Sequence, residues 1–226
     1  MTSLDARPVL FIVSGPSGAG KGTALSFLSE EFNLKRLTTY TTRARRPEEE
    51  DGRDYIFVSE EQFFEKVRQG VIYEYTRTYR HDLYGSPAEL VHDTSSSDHA
   101  IVELDPLGFF RVRAVSRRRV VGIFVAPPSY DEQERRIMER HPEGDVAERM
   151  HISMQQLNSS WSYDYFVVND SVETFRQDLK AVVRAELLRA SGARRLLASR
   201  TSLDPTLVVV DRATDRVVDR ADRDSV

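Results

Sequence analysis

The chain has 226 residues, of which 40% are hydrophobic and 30% charged, so it can bury the core of one substantial domain. A net charge of −4 argues against a general nucleic-acid binder, and the absence of cysteine excludes disulfides, zinc thiolates and cysteine catalysis. The sequence has no apolar run of the roughly 20 residues that span a membrane and no secretory signal at its start, so we expect a cytoplasmic protein without a membrane partner.

The first predicted elements are a buried strand, a glycine-rich loop and a helix. Residues 9–13, VLFIV, form the continuous apolar run of a strand in a parallel sheet. Gly15, Gly20 and Lys21 then match the pattern G-x-x-x-x-G-K, which binds phosphate through backbone N–H groups, a helix N-terminus and the lysine. The predicted nucleotide-phosphate site comprises Gly15, Ser17, Gly18, Ala19, Gly20, Lys21, Gly22 and Thr23.

Gly22 occupies the position after the lysine, where many phosphate loops carry the Ser or Thr that holds Mg²⁺. The next residue, Thr23, can reach the α- and β-phosphates. This G-K-G-T form resembles the loop of nucleoside monophosphate kinases, which implies that Mg²⁺ is held by water and by nucleotide oxygens. We therefore expect a small-molecule kinase rather than a GTPase, with no metal-ligating side chain.

Residues 38–90 depart from the alternation of strands and helices. They are rich in Thr, Arg, Tyr and Glu and contain the short strand-like pieces DYIFV and VIYEYT. Three arginines, at positions 43, 45 and 46, precede a run of acids, a pattern that by itself is usually a solvated charged loop. We interpret the segment as an insertion on the core, joined back to it by the polar connector DTSSSD at residues 93–98.

The rest of the core is predicted from three apolar runs and three amphipathic patterns. The runs and patterns predict strands at residues 100–104, 119–125 and 165–168, and helices at residues 130–140, 145–158 and 172–190. Strands that alternate with helices are typical of a three-layer α/β fold with a parallel central sheet, and we predict that fold here.

The segment from Ser191 onward changes in character. The stretch SGARRLLASR predicts an extension of the last helix after a break at Gly192. The following TLVVVDRATDRVVDRADRDSV alternates apolar and charged residues around DRATDR, which fits a hairpin and equally a frayed charged tail. Both alternatives stay open from the sequence.

Several short motifs occur together in an order that resembles the guanylate kinase family. That family carries T-T-R-x-P-R-x-G-E, then D-Y-x-F, then an E-W or E-Y pair, then L-Y-G-T/S. The matching pieces here are TTRARRPEE, DGRDYIFVS, YEY at residues 73–75 and LYGS at residues 83–86, at closely similar spacings. The pieces APPS at 126–129 and VVND at 167–170 are also family-like, and the resemblance covers about residues 8–190. The motifs are specific as a set, whereas no single one of them is.

The resemblance implies an acceptor site for GMP. In it, Arg43 and Arg46 hold the phosphate of the nucleotide, and Glu74 contacts the base. A carboxylate accepts from both N1–H and the 2-amino group of guanine, a pair of donors that adenine lacks, so such a site rejects AMP. The implied residues are Arg43, Arg46, Tyr55 and Tyr84 at the phosphate, Thr39, Glu74, Ser86 and Asp105 at the base, and Glu103 beside them.

One matched motif departs from the family. VELD at residues 102–105 corresponds to the strand-end L-D-x-D, with Glu103 in place of the first Asp. Pro106 and Leu107 replace the residues that follow in D-x-Q-G, so that the Gln is lost. An acid at a strand end beside a phosphate loop usually faces the metal or the acceptor, but Glu103 also fits a simple charged strand terminus.

Residues 130–150 contain arginines that the resemblance assigns to a lid over the ATP phosphates. Phosphoryl transfer needs such cations because catalysis is mainly positioning and stabilisation of charge on the transferred group. The segment HPEGD at residues 141–145 replaces the family's G-T-[DE]-[ST]-E-E and makes this lid shorter. With the lid arginines included, the predicted catalytic residues are Lys21, Arg43, Arg136, Arg140 and Arg149.

The sequence therefore predicts a transferase of purine nucleotide metabolism, an ATP-dependent guanylate kinase that uses Mg²⁺ and acts as a monomer or homodimer. Two alternatives remain open. One is a specialised paralogue that phosphorylates a modified guanine or other purine monophosphate, and the other is a non-catalytic module that binds phosphorylated protein segments. The predicted parts are a P-loop core (1–38, 91–130 and 160–190), a GMP-binding segment (39–90), a lid (131–159) and a C-terminal extension (191–226).

Overall fold

The computed structural model describes residues 7–77, 81–92, 98–140, 146–199, 209–211 and 216–218, without the side chains of Arg140 and of the residues beyond Ala190. Most of the predicted connector 93–98 and the lid segment 141–145 lie outside these ranges. The first nine elements are β1 (Val9–Ser14), α1 (Lys21–Phe32), β2 (Lys35–Arg36), β3 (Tyr40–Thr41), β4 (Ile56–Phe57), α2 (Glu60–Arg68), β5 (Ile72–Arg77), β6 (Leu83–Pro87) and α3 (Glu89–His92). Those that follow are β7 (Ala100–Glu103), α4 (Pro106–Val115), β8 (Arg119–Ala126), α5 (Tyr130–Arg140), α6 (Val146–Leu157), β9 (Tyr165–Val168), α7 (Val172–Ser199), β10 (Val209–Asp211) and β11 (Arg216–Val218).

The central sheet has five parallel strands in the order β2-β7-β1-β8-β9. Every residue of β1 is buried because helices cover both faces of the sheet. One face packs against α1 and α7 through Leu28, Phe175 and Leu179. The other face packs against α4 through Phe109 and Val112. The predicted three-layer α/β fold with a parallel central sheet is confirmed.

The strand register brings the chemistry-bearing loops to one edge of the sheet. Val13 of β1 lies beside Glu103 of β7, and Ser14 donates a hydrogen bond of 2.7 Å to the Leu104 carbonyl. The loop after β1 and the acidic end of β7 therefore leave the sheet together. In open parallel sheets this carboxyl edge is where ligands bind.

A second sheet of four strands, in the order β4-β3-β6-β5, is built by the inserted segment. It has its own small core, in which Phe63 of α2 packs with Ile72 and Leu83. The pairing of β5 with β6 shifts register between Ile72 and Glu74, and Glu74 then lies opposite Ser86. Residues that lie directly opposite in an antiparallel pair share a face, so these two polar side chains meet.

The C-terminal part differs from its prediction in one respect. Helix α7 runs without interruption from Val172 to Ser199, so the predicted break at Gly192 is wrong. A glycine costs about 1 kcal/mol in a helix interior, and the helix-forming Ala, Arg and Leu residues around it offset that cost. Beyond the helix, β10 and β11 pair antiparallel, which supports the hairpin alternative, although residues 212–215 between them lie outside the described ranges. None of the described helices is both long and apolar enough to cross a bilayer.

Candidate active site

A large cleft opens at the carboxyl edge of the central sheet, between the loop after β1, the inserted sheet and α6. Its volume is about 1430 Å³, which exceeds the roughly 300–1,000 Å³ of a pocket for one small molecule. A smaller cavity of about 300 Å³ adjoins the same loop beside α5 and α7. The predicted site residues that line the large cleft are Gly15, Ser17, Gly18, Gly20, Lys21, Gly22, Thr23, Thr39, Arg43, Arg46, Tyr55, Glu74, Tyr84, Ser86, Glu103, Asp105 and Arg149.

Three predicted site residues are placed differently. Ala19 is fully buried within the loop, so its contribution to a ligand would come from the backbone. Arg136 lines the smaller cavity rather than the large cleft. Arg140 ends α5, and its side chain lies outside the described part of the chain.

The glycine-rich loop ends in a residue that only glycine suits. Gly20 has a φ of 96° and precedes Lys21, the first residue of α1. A Cβ at this position would lie 2.2 Å from Nδ2 of Asn169, which donates a hydrogen bond of 2.8 Å to the Ala19 carbonyl. Among the described residues no side chain caps the first turn of α1, so its N–H groups are available to an anion.

Lys21 is held at the loop by two partners. Its Nζ donates to the Pro16 carbonyl at 3.0 Å and lies 3.5 Å from the carboxylate of Glu103. Glu103 reaches the lysine because it ends β7 beside β1 in the sheet register. The ammonium group is therefore positioned over the loop, next to the N–H groups that an anion would contact.

Two of the arginines predicted for the lid have described side chains, and both contact the loop directly. Arg136 on α5 donates to the Gly18 carbonyl at 3.4 Å and to the Asn169 carbonyl at 3.2 Å. Arg149 on α6 donates to Ser17 Oγ at 3.4 Å. Helices α5 and α6 thus place both guanidinium groups beside the loop.

A buried glutamine, which the sequence patterns did not indicate, connects helices α5 and α6 to the loop. Gln133 on α5 is 0% exposed and donates from Nε2 to the Ser17 carbonyl and to Ser153 Oγ, both at 2.8 Å. Ser153 on α6 in turn donates to the Arg149 carbonyl at 2.7 Å. The side chain ties α5, α6 and the loop together, whereas a glutamine in an amphipathic helix pattern is typical of a solvent-facing position.

The acceptor side of the cleft is centred on Arg43. Its Nη2 donates to Glu49 at 2.7 Å and its Nε to the Tyr84 hydroxyl at 3.0 Å. Its guanidinium carbon lies 5.5 Å from the centre of the Tyr55 ring. Arg46 lies 3.7 Å from the same Glu49 carboxylate. The four residues predicted at the acceptor phosphate therefore converge, with Glu49 among them.

Glu49 was not singled out from the sequence, although it is the final residue of the matched motif TTRARRPEE. Burial acts to raise the pKa of its carboxyl, but hydrogen bonds from the Arg43 side chain and the Arg46 backbone lower that pKa below the ordinary value for Glu. The carboxylate is therefore ionised at neutral pH and fixes the orientation of both arginines.

Tyr55 remains a hydrogen-bond donor over a wide pH range. The negative charge of Glu103 and burial raise the pKa of the Tyr55 hydroxyl well above its ordinary value. Its ring packs edge-on against that of Tyr84, with centres 5.8 Å apart. Two phenol groups thus lie beside the guanidinium of Arg43, an arrangement suited to an anionic oxygen.

The other end of the acceptor side holds two carboxylates, Glu74 and Asp105. Ser86 Oγ donates to Oε1 of Glu74, and Arg111 donates to Oε2 at 2.9 Å. Asp105 caps α4 by accepting from the Gly108 N–H at 2.7 Å. Burial raises the pKa of Asp105, and the neighbouring charge of Glu74 adds to that effect. This end of the cleft is acidic, which suits a ligand with N–H donors.

The acidic groups near the loop do not form a closed cage for a metal. Within the described ranges, no three or more His, Cys, Asp or Glu side chains are grouped to hold an ion. Glu103 and Asp105 line the cleft together with the loop.

Comparison with known proteins points to one family. The family model described as Guanylate kinase matches residues 6–186. A guanylate kinase from Ruegeria pomeroyi is 37% identical over 190 residues, which are 82% of this chain and 89% of that protein. A guanylate kinase from Wolbachia pipientis wMel is 31% identical over 191 residues, which are 83% of this chain and 94% of that protein.

A solved structure agrees with these relatives. The crystal structure of guanylate kinase from Anaplasma phagocytophilum superposes with a TM-score of 0.69 at 29% identity and covers 88% of this chain and 98% of its own. The family model covers most of the chain, and both relatives exceed the identity at which a shared family is secure. The chain belongs to the guanylate kinase family.

Proposed function

We propose that this chain is a guanylate kinase, which transfers the γ-phosphoryl group of ATP to GMP and releases GDP and ADP. The observation that carries the proposal is a single cleft. The glycine-rich loop and Lys21 line one side of it, and Arg43, Arg46 and Glu74 line the other. A volume of about 1430 Å³ leaves room for two nucleotides at once. Membership of the guanylate kinase family supports the same activity.

Glu74 is the proposed determinant of guanine recognition. Its carboxylate accepts from N1–H and from the 2-amino group of guanine, while Ser86 donates to it and Thr39 lines the same cleft. Adenine presents no such pair of donors, so AMP would leave empty the acceptor positions that guanine fills on this nearly buried carboxylate. Asp105 lies beside this carboxylate and serves the same base region.

The acceptor phosphate binds to Arg43 and Arg46, with the hydroxyls of Tyr55 and Tyr84 on the same group. One of its oxygens attacks the γ-phosphorus of ATP in line, and the bond from that phosphorus to the β-phosphate oxygen breaks. A general base is unnecessary because the attacking oxygen is already anionic. Lys21 stabilises the charge that develops on the transferred group.

The ATP phosphates bind to the loop of residues 15–23, through backbone N–H groups and Thr23. The smaller cavity receives the adenosine, since it adjoins the loop and its walls include Phe27 and Arg176, side chains that can stack on a base. When bound, Mg²⁺ would neutralise charge on the ATP phosphates, and Glu103 and Asp105, which line the cleft, would hold the water molecules of its hydration shell.

The proposed division of the chain follows the ligands. Residues 39–90 form the GMP-binding segment, residues 131–159 form the lid, and residues 1–38, 91–130 and 160–190 form the P-loop core. Arg136, Arg140 and Arg149 of the lid region supply cations to the transferred group. Closure of both segments over the cleft excludes water, which would otherwise hydrolyse ATP.

A coupled assay of ADP release tests the proposal, with ATP, Mg²⁺ and GMP, AMP, CMP or UMP. We expect turnover with GMP and a kcat/KM about 10⁴-fold lower with AMP, because the acceptor positions of Glu74 that guanine fills would then be left without donors. Glu74→Gln should remove most of the activity on GMP. Glu60→Gln is the matched control, since Glu60 is an exposed carboxylate that pairs with Arg77 on the inserted sheet. Equal rates with GMP and AMP in the native protein would contradict the assignment of Glu74.

The alternatives raised by the sequence make different predictions. A non-catalytic module typically loses the phosphate loop, whereas here Gly20 and Lys21 keep the geometry of an anion site. A thermal-shift titration with ATP should stabilise the protein, and the absence of any shift would favour the module. A specialised paralogue would show a GMP KM far above the usual range of about 1 μM to 1 mM, together with better kinetics on dGMP or IMP.

A further inference from the structure

Arg111 on α4 places a positive charge at the end of the cleft that holds the carboxyl groups of Glu74 and Asp105. Its Nη1 donates to Oε2 of Glu74 at 2.9 Å and to the Tyr75 carbonyl at 3.3 Å. The guanidinium thus bridges the Glu74 side chain and the backbone of the same strand, β5. Asp105 lies close enough that the charge of Arg111 favours its ionised form, in opposition to the stronger effect of burial.

Helix α4 is held tightly against Glu74. A Cβ on Gly108 would lie 3.2 Å from Oε1 of Glu74, so the first turn of the helix touches the carboxylate. Arg111 follows Leu107 by one helical turn and lies on the same face. Leu107 stands where the family motif carries Gln, and Arg111 is the residue of this helix whose side chain donates to Glu74.

The number of hydrogen bonds that the Glu74 carboxylate can accept matches the number of donors proposed around it. An ionised carboxylate offers about four acceptor positions, two on each oxygen. Ser86 fills one on Oε1 and Arg111 fills one on Oε2. Counting the described residues, one position on each oxygen is left, which matches the two donors, N1–H and the 2-amino group, on one edge of guanine.

We propose that Arg111 is a positioning residue that orients Glu74 toward both donors of guanine and thereby sets the preference for GMP over IMP. The proposal rests on the guanylate kinase activity proposed above. Hypoxanthine lacks the 2-amino group and donates only N1–H, so it depends less on the alignment of both carboxylate oxygens. The Glu74 side chain is 11% exposed and the Arg111 side chain is 45% exposed. Arg111 therefore holds the nearly buried Glu74 carboxylate from the solvent side.

The test compares steady-state kinetics of Arg111→Ala with the native protein on GMP and on IMP. We expect the KM for GMP to rise about tenfold, the size of a lost hydrogen bond to a charged group, with kcat nearly unchanged. The KM for IMP should rise much less, so the GMP-to-IMP preference narrows. Arg111→Lys keeps the charge and should restore part of that preference.

Arg113→Ala is the matched control. Arg113 lies on the same helix, is 39% exposed and pairs with Asp164 at 2.9 Å, away from the residues that line the cleft. We expect it to leave both KM values near the native ones. Melting temperatures of all variants separate loss of fold from loss of positioning, because an ion pair with a solvent-exposed partner adds little to stability.

Two results would overturn the proposal about Arg111. One is an unchanged GMP KM and GMP-to-IMP preference in a folded Arg111→Ala variant. The other is a KM that rises by the same factor for GMP and for IMP, and does so in both Arg111→Ala and Arg113→Ala. That result would indicate a general effect of the helix surface. Failure of the activity itself is distinguishable, because the native protein would then show no GMP-dependent ADP release at all.

Discussion

The two sides of the cleft hold their charged groups in different ways. On the loop side, Lys21 and Arg136 donate to backbone carbonyl oxygens, and each also pairs with a carboxylate. On the acceptor side, the contacts are made mainly between side chains, since Arg43 is paired with a carboxylate and Glu74 with a guanidinium. The backbone contacts of the first arrangement follow the path of the chain and suit the phosphates that all nucleotides share. The second arrangement depends on oriented side chains, which can distinguish one nucleotide from another. Substitutions on the two sides should therefore change different kinetic parameters.

The largest expected effect is on the loop side, from Lys21→Met. The variant removes the cation that the structure positions over the loop, so we expect kcat to fall about 10³-fold with the melting temperature preserved. Lys35→Met is the control, because Lys35 pairs with Glu89 outside the residues that line the cleft. Binding of GMP alone, measured by calorimetry, should survive in Lys21→Met. Loss of GMP binding there would break the separation of the two sides.

On the acceptor side, Glu49→Gln should lower kcat/KM for GMP and leave the KM for ATP nearly unchanged. Without the carboxylate, Arg43 and Arg46 lose the partner that orients them, so we expect kcat/KM for GMP to fall about ten- to hundredfold. The KM for ATP should stay within about twofold of the native value. Glu50→Gln is the matched control, since its exposed carboxylate pairs with Arg53. A larger change in the KM for ATP than in that for GMP would contradict this account.

A smaller effect is expected from Gln133→Leu, which removes the hydrogen bonds from α5 to the loop and to α6. Each such bond contributes about 1 kcal/mol, so we expect the KM for ATP to rise about three- to tenfold. Affinity for GMP in the absence of ATP should not change. Gln155→Leu on α6 provides the control, because Gln155 is exposed and contacts only His151 among the described hydrogen bonds. A matching rise in Gln155→Leu would assign the effect to α6 in general.

The smallest expected effect is on stability in acid. Despite its burial, Glu49 has a lowered pKa in the folded protein, because Arg43 and Arg46 donate to its carboxylate. Its contribution is complete above the ordinary Glu pKa of about 4.3 and disappears as the pH falls through the lower folded-state value. We therefore expect the native protein to melt about 2 °C above Glu49→Gln at pH 7, and the gap to close below about pH 4. A gap that widens in acid would show that the pKa is raised instead.

The core could be predicted from the sequence because its signals are local. The runs at 9–13, 119–125 and 165–168 became β1, β8 and β9 within one residue of their predicted bounds. Strands buried on both faces carry continuous apolar runs, and each run marks the position of its strand in the sequence. The predicted break at Gly192 is wrong because the helix-forming residues on either side of this glycine outweigh its low helix propensity.

The acceptor site could be predicted only in part, because its supporting contacts are distant in sequence. The family motifs indicated Arg43 and Glu74, and the structure brings both to one cleft, where their roles remain predictions. Arg111 lies 37 positions from Glu74, and Gln133 lies 116 positions from Ser17. Gln133 stands in an amphipathic helix, where amide side chains usually face solvent, and the helix that carries Arg111 was not predicted from the sequence, so no local pattern marked either residue.

The central claim is that the acceptor side binds GMP by its base and its phosphate, opposite a loop that binds ATP. A crystal structure with GMP bound tests this most directly. We predict that N1–H and the 2-amino group of guanine lie within hydrogen-bond distance of Glu74, with the phosphate on Arg43 and Arg46. A GMP molecule whose phosphate occupies the loop of residues 15–23, or whose base makes no contact with Glu74, would contradict the account.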